Sequence, residues 1–588
     1  MQLATIDWAI MAVFFLVSLV IGIGVARTAG KDFSSFFLGG RTMPWWLLGI
    51  SMVATTFSTD TPNLVTDIVR SNGTYGNWAW WAFLITGMLT VFLYAKLWRR
   101  SGVMTDVEFY ELRYSGRIAA FLRGFRAAYL GILFNILIMA SVTLAAIKIG
   151  SVMLEWSPVR TVTVAALVTM TYSAIGGLRG VLLTDLFQFV IAMIGSIAAA
   201  YFVLGLPEVG GLAGLLAAPR VQEAMDFIPD FATVGWEQLM PVFVIPLAVQ
   251  WWAAYYPGAE PGGGGYIVQR MLSAPDEKQA VKSVLLFNTL HYALRPWPWI
   301  LVALASLIVF PDVASIAARF PHVPEQVVRN DLAYPAMLTF LPAGLLGLVV
   351  TSLAAAYMST MSTQVNWGSS IIVNDLYVRF MKPEATQEEQ VWVGRLSTVV
   401  LMVVACTLAL FMENALQVFT IVLQIGAGTG LLFILRWFWW RINAATELTA
   451  MVVSFLVAVW FQLVNGHGLA DWQQLVVGVL ITTVAWVVVA FVSKPTDEAV
   501  LRSFYAKIRP GGTGWKRIAA LEPEVHGETS DLPYALLAAF FGLVGIYGAL
   551  FATGFFLYGR PVASAVAAVL SVAAAFGIFK VFPRLNFR

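Results

Sequence analysis

The sequence predicts an all-α membrane protein of about fifteen spans, built on two sets of five spans that are inverted relative to each other. Three observations predict this fold. Hydrophobic residues make up 59% of the 588 residues and charged residues only 12%, whereas soluble domains are about one quarter charged. Apolar stretches of about 20 residues, long enough to cross a bilayer as helices, recur along the whole chain. Two of these stretches are interrupted by helix-breaking residues at corresponding places in the two sets.

The apolar stretches locate the individual spans. The first has no basic segment before it and carries Asp7, so we interpret it as a retained span rather than a cleaved signal peptide. The ninth is expected to hold a short helix before its long one. The predicted spans are residues 6–27, 44–69, 76–98, 120–149, 158–176, 181–206, 236–257, 281–310, 334–378, 391–412, 415–437, 446–465, 473–493, 532–557 and 562–582.

Lysine and arginine mark the side of the membrane that each connection faces. Basic residues concentrate in alternate connections, while the others, such as 207–235 and 312–331, are poor in them or balanced by acids. Because cytoplasmic loops carry the excess of Lys and Arg, we predict the N-terminus outside and the C-terminus in the cytoplasm, with a cytoplasmic linker at 493–532. The expected location is the plasma (inner) membrane. The basic connections contain Arg27, Lys31 and Arg41; Lys96 to Arg126; Arg179; Arg270 to Lys282; Arg379 and Lys382; Arg436 and Arg441; and Lys494 to Arg517.

The second and the seventh spans are interrupted. In the second, ATTFSTDTPN (Ala54–Asn63), Pro62 removes a backbone donor and Asp60 places a carboxyl in the apolar run. In the seventh, YYPGAEPGGGGY (Tyr255–Tyr266), prolines and four glycines exclude a continuous helix. An external loop tip is the alternative interpretation of this glycine-rich segment.

These two breaks open two repeats. Five spans lie in 44–206 and five more in 236–437, preceded by an extra span and loop in 1–43 and followed by C-terminal helices in 438–588. Because five is an odd number, the second set must lie inverted in the membrane relative to the first. Broken helices at corresponding positions of inverted halves indicate a binding site in the middle of the membrane.

The stretch Gly347–Asp375 begins as an apolar helix and then concentrates hydroxyl groups on one face. Ala356, Ser359, Thr360 and Thr363 lie at i, i+3, i+4 and i+7. Such oxygens either hydrogen-bond to neighbouring helices or hold a hard cation such as sodium, which neutral oxygens can bind. The residues alone leave both interpretations open.

Other function classes lack the residues that they need. The lone Cys406 allows no disulfide framework, and the four histidines show no metal-ligand spacing. No nucleophile with a nearby base indicates an enzyme, and the linker 493–532 is too short for the output domain of a sensor. Nothing in the charge pattern indicates nucleic-acid binding.

Several motifs occur in a specific order. They are FFLGGR (Phe36–Arg41), MPWWLLGISMVA (Met43–Ala54), TYSAIGGLRGVLLTDLFQF (Thr171–Phe189), YIVQRMLSA (Tyr266–Ala274), AAAYMSTMST (Ala354–Thr363) and WWRIN (Trp439–Asn443). Together, over residues 6–445, they resemble the sodium:solute symporter family, which includes sodium/glucose and sodium/proline cotransporters. The resemblance implies a five-plus-five inverted-repeat transporter core and sodium-coupled import of a small polar solute by alternating access. The expected partners are that solute and the lipid bilayer, and no obligatory protein partner is evident.

The resemblance also implies where sodium binds. A first sodium ion would lie between the broken second span and the hydroxyl-bearing helix. Its implied ligands are the backbone carbonyls of Ala54, Phe57 and Ala356 and the hydroxyls of Ser359 and Thr360.

Some members of the family hold a second sodium ion, and this chain offers Asp185, Ser362 and Thr363 at the matching positions. Arg179, six residues before Asp185, is an alternative partner for that carboxylate. One sodium ion or two are therefore expected. A proton-coupled symporter of the same architecture is the rival interpretation, and it would rely on titration of Asp60, Asp67 or Asp185.

The solute pocket departs from that of the sugar-transporting members. The region Trp78–Gly87 lacks the carboxylate expected there, and His291 stands where a lysine is expected, with Arg295 one turn later. A sugar or sugar derivative is the favoured solute, because Gln424 matches a sugar-contacting glutamine and aromatic faces suit sugar rings, although aromatic residues also belong at membrane interfaces. His291 and Arg295 favour the alternative, an amino acid or a carboxylate. The predicted solute-binding residues are Thr56, Asp60, Trp78, Trp81, Trp252, Tyr255, Tyr266, His291 and Gln424.

Overall fold

The structure is a computed structural model that describes residues 3–29, 31–254, 259–323, 328–412, 425–464, 468–522 and 530–588. Within these ranges every regular element is a helix and none is a strand. Eleven of the described helices are long and apolar enough to cross a membrane, and two further apolar helices are shorter. The all-α prediction is confirmed, whereas the count of about fifteen crossings and the division into repeats stay predictions.

The main helices follow the predicted order along the chain. They are α1 (Thr5–Ala29), α2 (Trp45–Thr56), α3 (Asp60–Asn72), α4 (Thr74–Ser101), α5 (Gly116–Met153), α6 (Pro158–Leu204), α7 (236–253), α8 (Gly265–Ser273), α9 (Glu277–Val309), α10 (Leu345–Met381), α11 (Gln387–Ala409), α12 (Gly430–Leu435), α13 (Ala444–Leu463), α14 (Asp471–Val492), α15 (Leu532–Leu557) and α16 (Pro561–Arg584). Shorter helices lie in the connections at Phe33–Leu38, Phe109–Arg113, Gly211–Ala217, Pro219–Ala224, Val313–Arg319, Ala333–Leu338, Glu498–Ile508 and Lys516–Ala519.

Both predicted helix breaks are present. The α2 helix ends at Thr56, Phe57 adopts a non-helical backbone (φ −95°, ψ 80°), and α3 begins at Asp60. In the predicted second repeat, α7 ends at Ala253 and α8 begins at Gly265, with 259–264 outside any helix. Each break frees backbone carbonyls from the helical ladder.

The long α6 helix is two predicted spans joined at one glycine. Gly177 has φ 53° and ψ −165°, a conformation that only glycine adopts at low cost, and it separates the arm before it from the arm that carries Asp185. The predicted boundary between the fifth and sixth spans, at 176–181, therefore falls on this hinge.

The hydroxyl-bearing helix α10 lies at the centre of the bundle. It packs against α1, α2, α5, α6 and α11, and its residues from Ala355 to Ile371 are buried. Its start is held by Asp7 of α1, whose Oδ1 accepts hydrogen bonds of 2.7 Å from the backbone N–H groups of Gly344 and Gly347. The carboxylate that marked the first span as unusual thus caps the N-terminal end of α10, where the helix dipole favours an anion.

The basic connections pack together at one end of the bundle, which we call the basic face. Arg41 donates to the carbonyl of Gly102 at 2.9 Å, Arg99 donates to the carbonyl of Ala274 at 2.6 Å, and Arg379 pairs with Glu111 at 2.8 Å. Several of the basic connections thus meet at one surface, whereas Arg270 is buried, and the assignment of this surface to the cytoplasm stays a prediction.

Candidate functional site

The break between α2 and α3 faces the hydroxyl groups of α10. Thr360 Oγ1 donates to the carbonyl of Thr55 at 2.7 Å and lies 3.2 Å from the carbonyl of Ala356 in its own helix. The Thr55 carbonyl can accept this bond because the helix that would have satisfied it ends one residue later. One hydroxyl therefore bridges the two elements from which the predicted sodium ligands come.

The predicted sodium ligands are buried and lie in these two elements. Ala54, Phe57 and Ala356 are at most 3% exposed, and Phe57 donates its N–H to the carbonyls of Val53 and Ala54 at the end of α2. Ser359 turns towards α6, where its Oγ donates to Asp185 Oδ1 at 2.7 Å. A hydroxyl oxygen that donates its proton keeps lone pairs for a cation, so Ser359 and Thr360 remain able to bind sodium.

Asp185 is paired with Arg270 of α8. Ser51 Oγ donates to Asp185 Oδ2 at 2.5 Å, and Arg270 Nη2 lies 3.8 Å from the same oxygen, with both charged side chains fully buried. The expectation that Arg179 offers the partner is wrong, since Arg179 is exposed. Six residues apart on one helix, Arg179 and Asp185 point to different faces.

The residues predicted for a second sodium ion already surround this guanidinium. Arg270 Nη2 donates to Thr363 Oγ1 at 2.6 Å, and Thr363 Oγ1 lies 2.9 Å from Thr55 Oγ1. Ser362 instead donates to the carbonyl of Ser359 in its own helix at 3.0 Å. Two of the three predicted ligands, Asp185 and Thr363, therefore already contact a positive charge, the guanidinium of Arg270.

A second polar cluster lies on the other side of the α2–α3 break. Thr56 Oγ1 is 2.9 Å from His291 Nδ1 and accepts a 2.9 Å hydrogen bond from Arg295 Nη1. Arg295 Nη2 is 3.3 Å from His291 Nε2. Because arginine only donates, Nε2 must be the accepting nitrogen, so Nδ1 carries the proton and donates to Thr56. The imidazole is therefore held neutral in one tautomer between Thr56 and Arg295.

Aromatic rings enclose this polar cluster. The guanidinium of Arg295 lies 5.4 Å from the ring centre of Trp299, which packs edge-on against Phe57. The rings of Trp80 and Phe287 contact His291 with centroid distances of 5.6 and 5.2 Å. The cluster can thus offer several hydrogen-bond donors in an otherwise apolar setting, which is typical of pockets for small polar ligands.

Of the other predicted solute residues that the structure describes, Trp78, Trp81, Trp252 and Tyr266 make their contacts away from His291, whereas Asp60 lies close enough to Arg295 to interact with its charge. Trp78 and Trp81 pack against Phe551 of α15, with ring centroids 6.1 and 6.3 Å apart. The Trp252 indole bonds to its own helix at Ala248, Tyr266 lies under the guanidinium of Arg270, and Asp60 bonds to Ser58. Tyr255 and Gln424 fall outside the described residues.

Trp80 contacts His291 but is absent from the predicted solute-binding residues. Trp78 and Trp81 are three residues apart and share one face of α4, so Trp80 must point elsewhere. In the structure it contacts both His291 and Tyr292 of α9. The helical spacing of the three tryptophans separates them into two faces, but the spacing does not indicate which of the two faces meets α9.

The glycine-rich segment after α7 is packed inside the bundle near the basic face. The carbonyl of Gly262 accepts a 2.9 Å bond from Trp98 Nε1, and Gly265 donates its N–H to Asp106 Oδ2 at 3.0 Å. The other oxygen of Asp106 accepts from Trp367 Nε1 of α10 at 3.2 Å. Burial raises the pKa of the Asp106 carboxyl, while these N–H donors lower it. The alternative of an external loop tip is therefore wrong for the described part, 259–265.

Gly262→Ala is expected to destabilise the packing of the glycine-rich segment against the helix α12. Gly262 has φ 75°, and an added Cβ would lie 2.5 Å from the backbone oxygen of Phe433. Gly116→Ala is the matched control, because Gly116 has φ 79° with nothing within 4 Å of an added Cβ. We expect Gly262→Ala to lower the free energy of unfolding by about 1–3 kcal/mol more than the control, measured as thermal unfolding in detergent. Equal losses in the two variants would contradict the packing described here.

Comparisons with known proteins agree with this architecture. A model of the sodium:solute symporter family matches residues 36–454. The sodium/glucose cotransporter of Vibrio parahaemolyticus is 25% identical over 514 residues, covering 84% of this chain and 91% of that protein. Sodium/glucose cotransporter 1 of Oryctolagus cuniculus is 24% identical over 489 residues, covering 77% of this chain and 71% of that protein. Among solved structures, the substrate-bound outward-open state of a Na+-coupled sialic acid symporter has a TM-score of 0.68 at 20% identity, covering 84% of this chain and 100% of that one.

Proposed function

Because this chain belongs to the sodium:solute symporter family, we propose that it imports a small polar solute together with sodium by alternating access. Its relatives and its apolar helices make it a multi-pass membrane transporter rather than an enzyme. The observation that carries the proposal is the 2.7 Å bond from Thr360 to the Thr55 carbonyl, at the break of α2 and α3. This contact joins the hydroxyl face of α10 to the broken helix α2–α3. The basic face is proposed to be cytoplasmic in the plasma membrane.

The proposed sodium ligands are neutral oxygens from these two elements. They are the carbonyls of Ala54, Phe57 and Ala356 and the hydroxyls of Ser359 and Thr360. Because the ligands come from both sides of the break, sodium would stabilise the arrangement in which α2 and α10 are close. Coupling follows only if solute binds better to that arrangement, since a ligand with equal affinity for two states shifts nothing.

One sodium ion per cycle is the stoichiometry that the contacts of Arg270 support. The guanidinium lies near Asp185 and bonds to Thr363, so a second monovalent cation there would meet an existing positive charge. One ion is sufficient to drive accumulation. A potential of 100 mV supplies about 2.3 kcal/mol per charge, and a tenfold sodium gradient adds about 1.4 kcal/mol, which together support accumulation of roughly a few hundredfold.

The solute is proposed to bind at Thr56, His291 and Arg295. A sugar or sugar derivative fits, because its hydroxyls can accept from Arg295 and exchange hydrogen bonds with Thr56 and His291, with the Trp80 ring beside them. The relatives named above are sodium/glucose cotransporters, which also favours a sugar. An acidic solute is the second candidate, and the observation that favours it is the nearly complete burial of the Arg295 side chain.

Uptake into proteoliposomes tests the proposed function. The purified chain is reconstituted with an inside-negative potential, and uptake of labelled sugars, acidic sugars, amino acids and monocarboxylates is measured with sodium or potassium outside. We expect sodium to stimulate uptake of at least one solute, with a hyperbolic dependence on its concentration. Equal uptake in potassium for every transported solute would refute sodium coupling, and a sigmoidal dependence would refute the single sodium site.

A further inference from the structure

A cavity of about 260 Å³, which we call the lateral crevice, lies between α1, α5, α10 and the first arm of α6, residues 158–176. Trp8 of α1 and Val164 of α6 line it and are 43% and 38% exposed, so it is open to the outside between these two helices. Inward it reaches the buried residues Leu353 of α10 and Thr59. Because a dry cavity of about 150 Å³ holds benzene, the crevice has room for a larger apolar group.

The walls of the lateral crevice are apolar. Aliphatic and aromatic side chains come from all four helices, and the hydroxyl groups are bound to other partners. Thr59 Oγ1 donates to the carbonyl of Val142 at 3.1 Å, and Thr161 Oγ1 donates to the carbonyl of Ser157 at 3.3 Å. The hydroxyl of Tyr357 is 3.2 Å from a hydroxyl of α5. Because a buried water needs two to four polar partners, these walls favour an apolar occupant over water.

The mouth of the crevice continues into an apolar outer surface. Leu16 of α1 and Leu167 of α6 lie beside lining residues along their helices, and both are exposed. At the start of α1, the rings of Trp8 and Trp156 stack with their centroids 6.1 Å apart, and tryptophan is enriched where a span meets the edge of the bilayer. Since this chain is a multi-pass membrane protein, the groups that meet such a surface are lipid acyl chains.

We propose that the lateral crevice binds one acyl chain of a bilayer phospholipid. The headgroup would stay at the level of Trp8 and Trp156, and the chain would run inward between α1 and α6 towards Thr59. Small side chains leave this path open, because four of the lining residues are alanines, and they are Ala12, Ala146, Ala165 and Ala354.

The inner end of the crevice lies against the break between α2 and α3. Thr59 directly precedes α3, and Leu353 lies on α10 one turn before Ala356, whose carbonyl is a proposed sodium ligand. A chain in the crevice would therefore pack beside both elements of the proposed sodium site. Its binding does not depend on the proposed transport function, because it needs only the cavity and the bilayer.

Photo-crosslinking in nanodiscs tests the proposal on the purified full-length protein. The probe is a phosphatidylcholine with a diazirine group at the end of one acyl chain, and mass spectrometry maps the labelled residues. We expect labelling of the buried wall, at Leu353 and Thr59, in addition to exposed residues such as Leu16. Labelling confined to exposed residues would overturn the proposal. Labelling of the wall by a diazirine fatty acid but not by the phospholipid would overturn the choice of a phospholipid.

Substitution of the lining alanines locates the bound chain. Ala165→Phe places a ring in the crevice, so labelling of the buried wall should be lost while labelling of exposed residues remains. Ala9→Phe is the matched control and should be labelled like the natural protein, because Ala9 is exposed on α1 and does not line the crevice. Ala12→Phe, on the other side of the mouth, gives the same test if Ala165→Phe does not fold. Unchanged labelling of the wall in a folded variant with a filled crevice would overturn the proposed site.

Discussion

Uptake by a Thr360→Val protein is expected to require a much higher sodium concentration. Thr360 Oγ1 lies between the carbonyls of Thr55 and Ala356, at 2.7 and 3.2 Å, so it is the oxygen that bridges the broken helix and α10. Valine has nearly the shape of threonine, so the substitution removes that oxygen with little change in packing. Loss of even an outer partner of a metal site costs about 10–100-fold in affinity, so loss of a direct ligand should raise the half-saturating sodium concentration at least about tenfold.

The control for this variant lies on the same helix. Thr351 is also buried, and its Oγ1 donates to the carbonyl of Gly347 one turn earlier at 2.6 Å, away from the α2–α3 break. Thr351→Val should therefore leave the half-saturating sodium concentration unchanged, and Thr360→Ser, which keeps the hydroxyl, should keep it close to the value of the natural protein. The measurement is the rate of uptake as a function of sodium concentration, at a fixed membrane potential and saturating solute. A folded Thr360→Val protein with the sodium dependence of the natural protein would refute the proposed site.

Local sequence features predicted the parts of the fold that local forces determine. Apolar stretches of bilayer length located the spans, and Pro62 and the glycines after Pro261 located the breaks, because each acts on its own stretch of backbone. Helical spacing placed Ser359 and Thr360 on one face of α10, and the structure brings Thr360 to the broken helix. Such inferences need no knowledge of which helices are neighbours.

Contacts between distant helices could not be predicted in this way. The sequence assigns Arg270 to a basic connection, yet α8 carries it inward to Asp185, 85 residues earlier in the chain. In the sequence, Asp7 indicates only that the first span is not a signal peptide, whereas in the structure it caps the start of α10. Nothing in the spacing of either residue indicates its partner, because packing of separate spans decides both contacts.

The largest effect on solute recognition is expected from Arg295→Gln. Arg295 is nearly fully buried, donates to Thr56 at 2.9 Å and contacts His291, so it presents a fixed positive charge beside the broken helix. If the solute carries a carboxylate, removing this charge should cost about 2–5 kcal/mol, or at least about 30-fold in solute affinity. If the solute is a neutral sugar, the loss should be that of one ordinary hydrogen bond, about 1 kcal/mol or roughly fivefold. The size of the effect therefore distinguishes the two candidate solutes.

Arg295→Lys and Arg319→Gln complete this test. Lysine keeps the charge but cannot form the paired donor geometry of a guanidinium, so Arg295→Lys should retain part of the affinity for an acidic solute. Arg319, like Arg295, lies over an aromatic ring, and its guanidinium is 5.7 Å from the ring centre of Phe340. Because Arg319 lies in the connecting helix Val313–Arg319, away from the cluster, Arg319→Gln should bind solute normally. Solute affinity is measured from the concentration dependence of uptake at saturating sodium. Either candidate solute would lose affinity if it contacted the Arg295 guanidinium and that group were removed. Unchanged affinity in a folded Arg295→Gln protein would therefore show that the solute does not bind at Arg295.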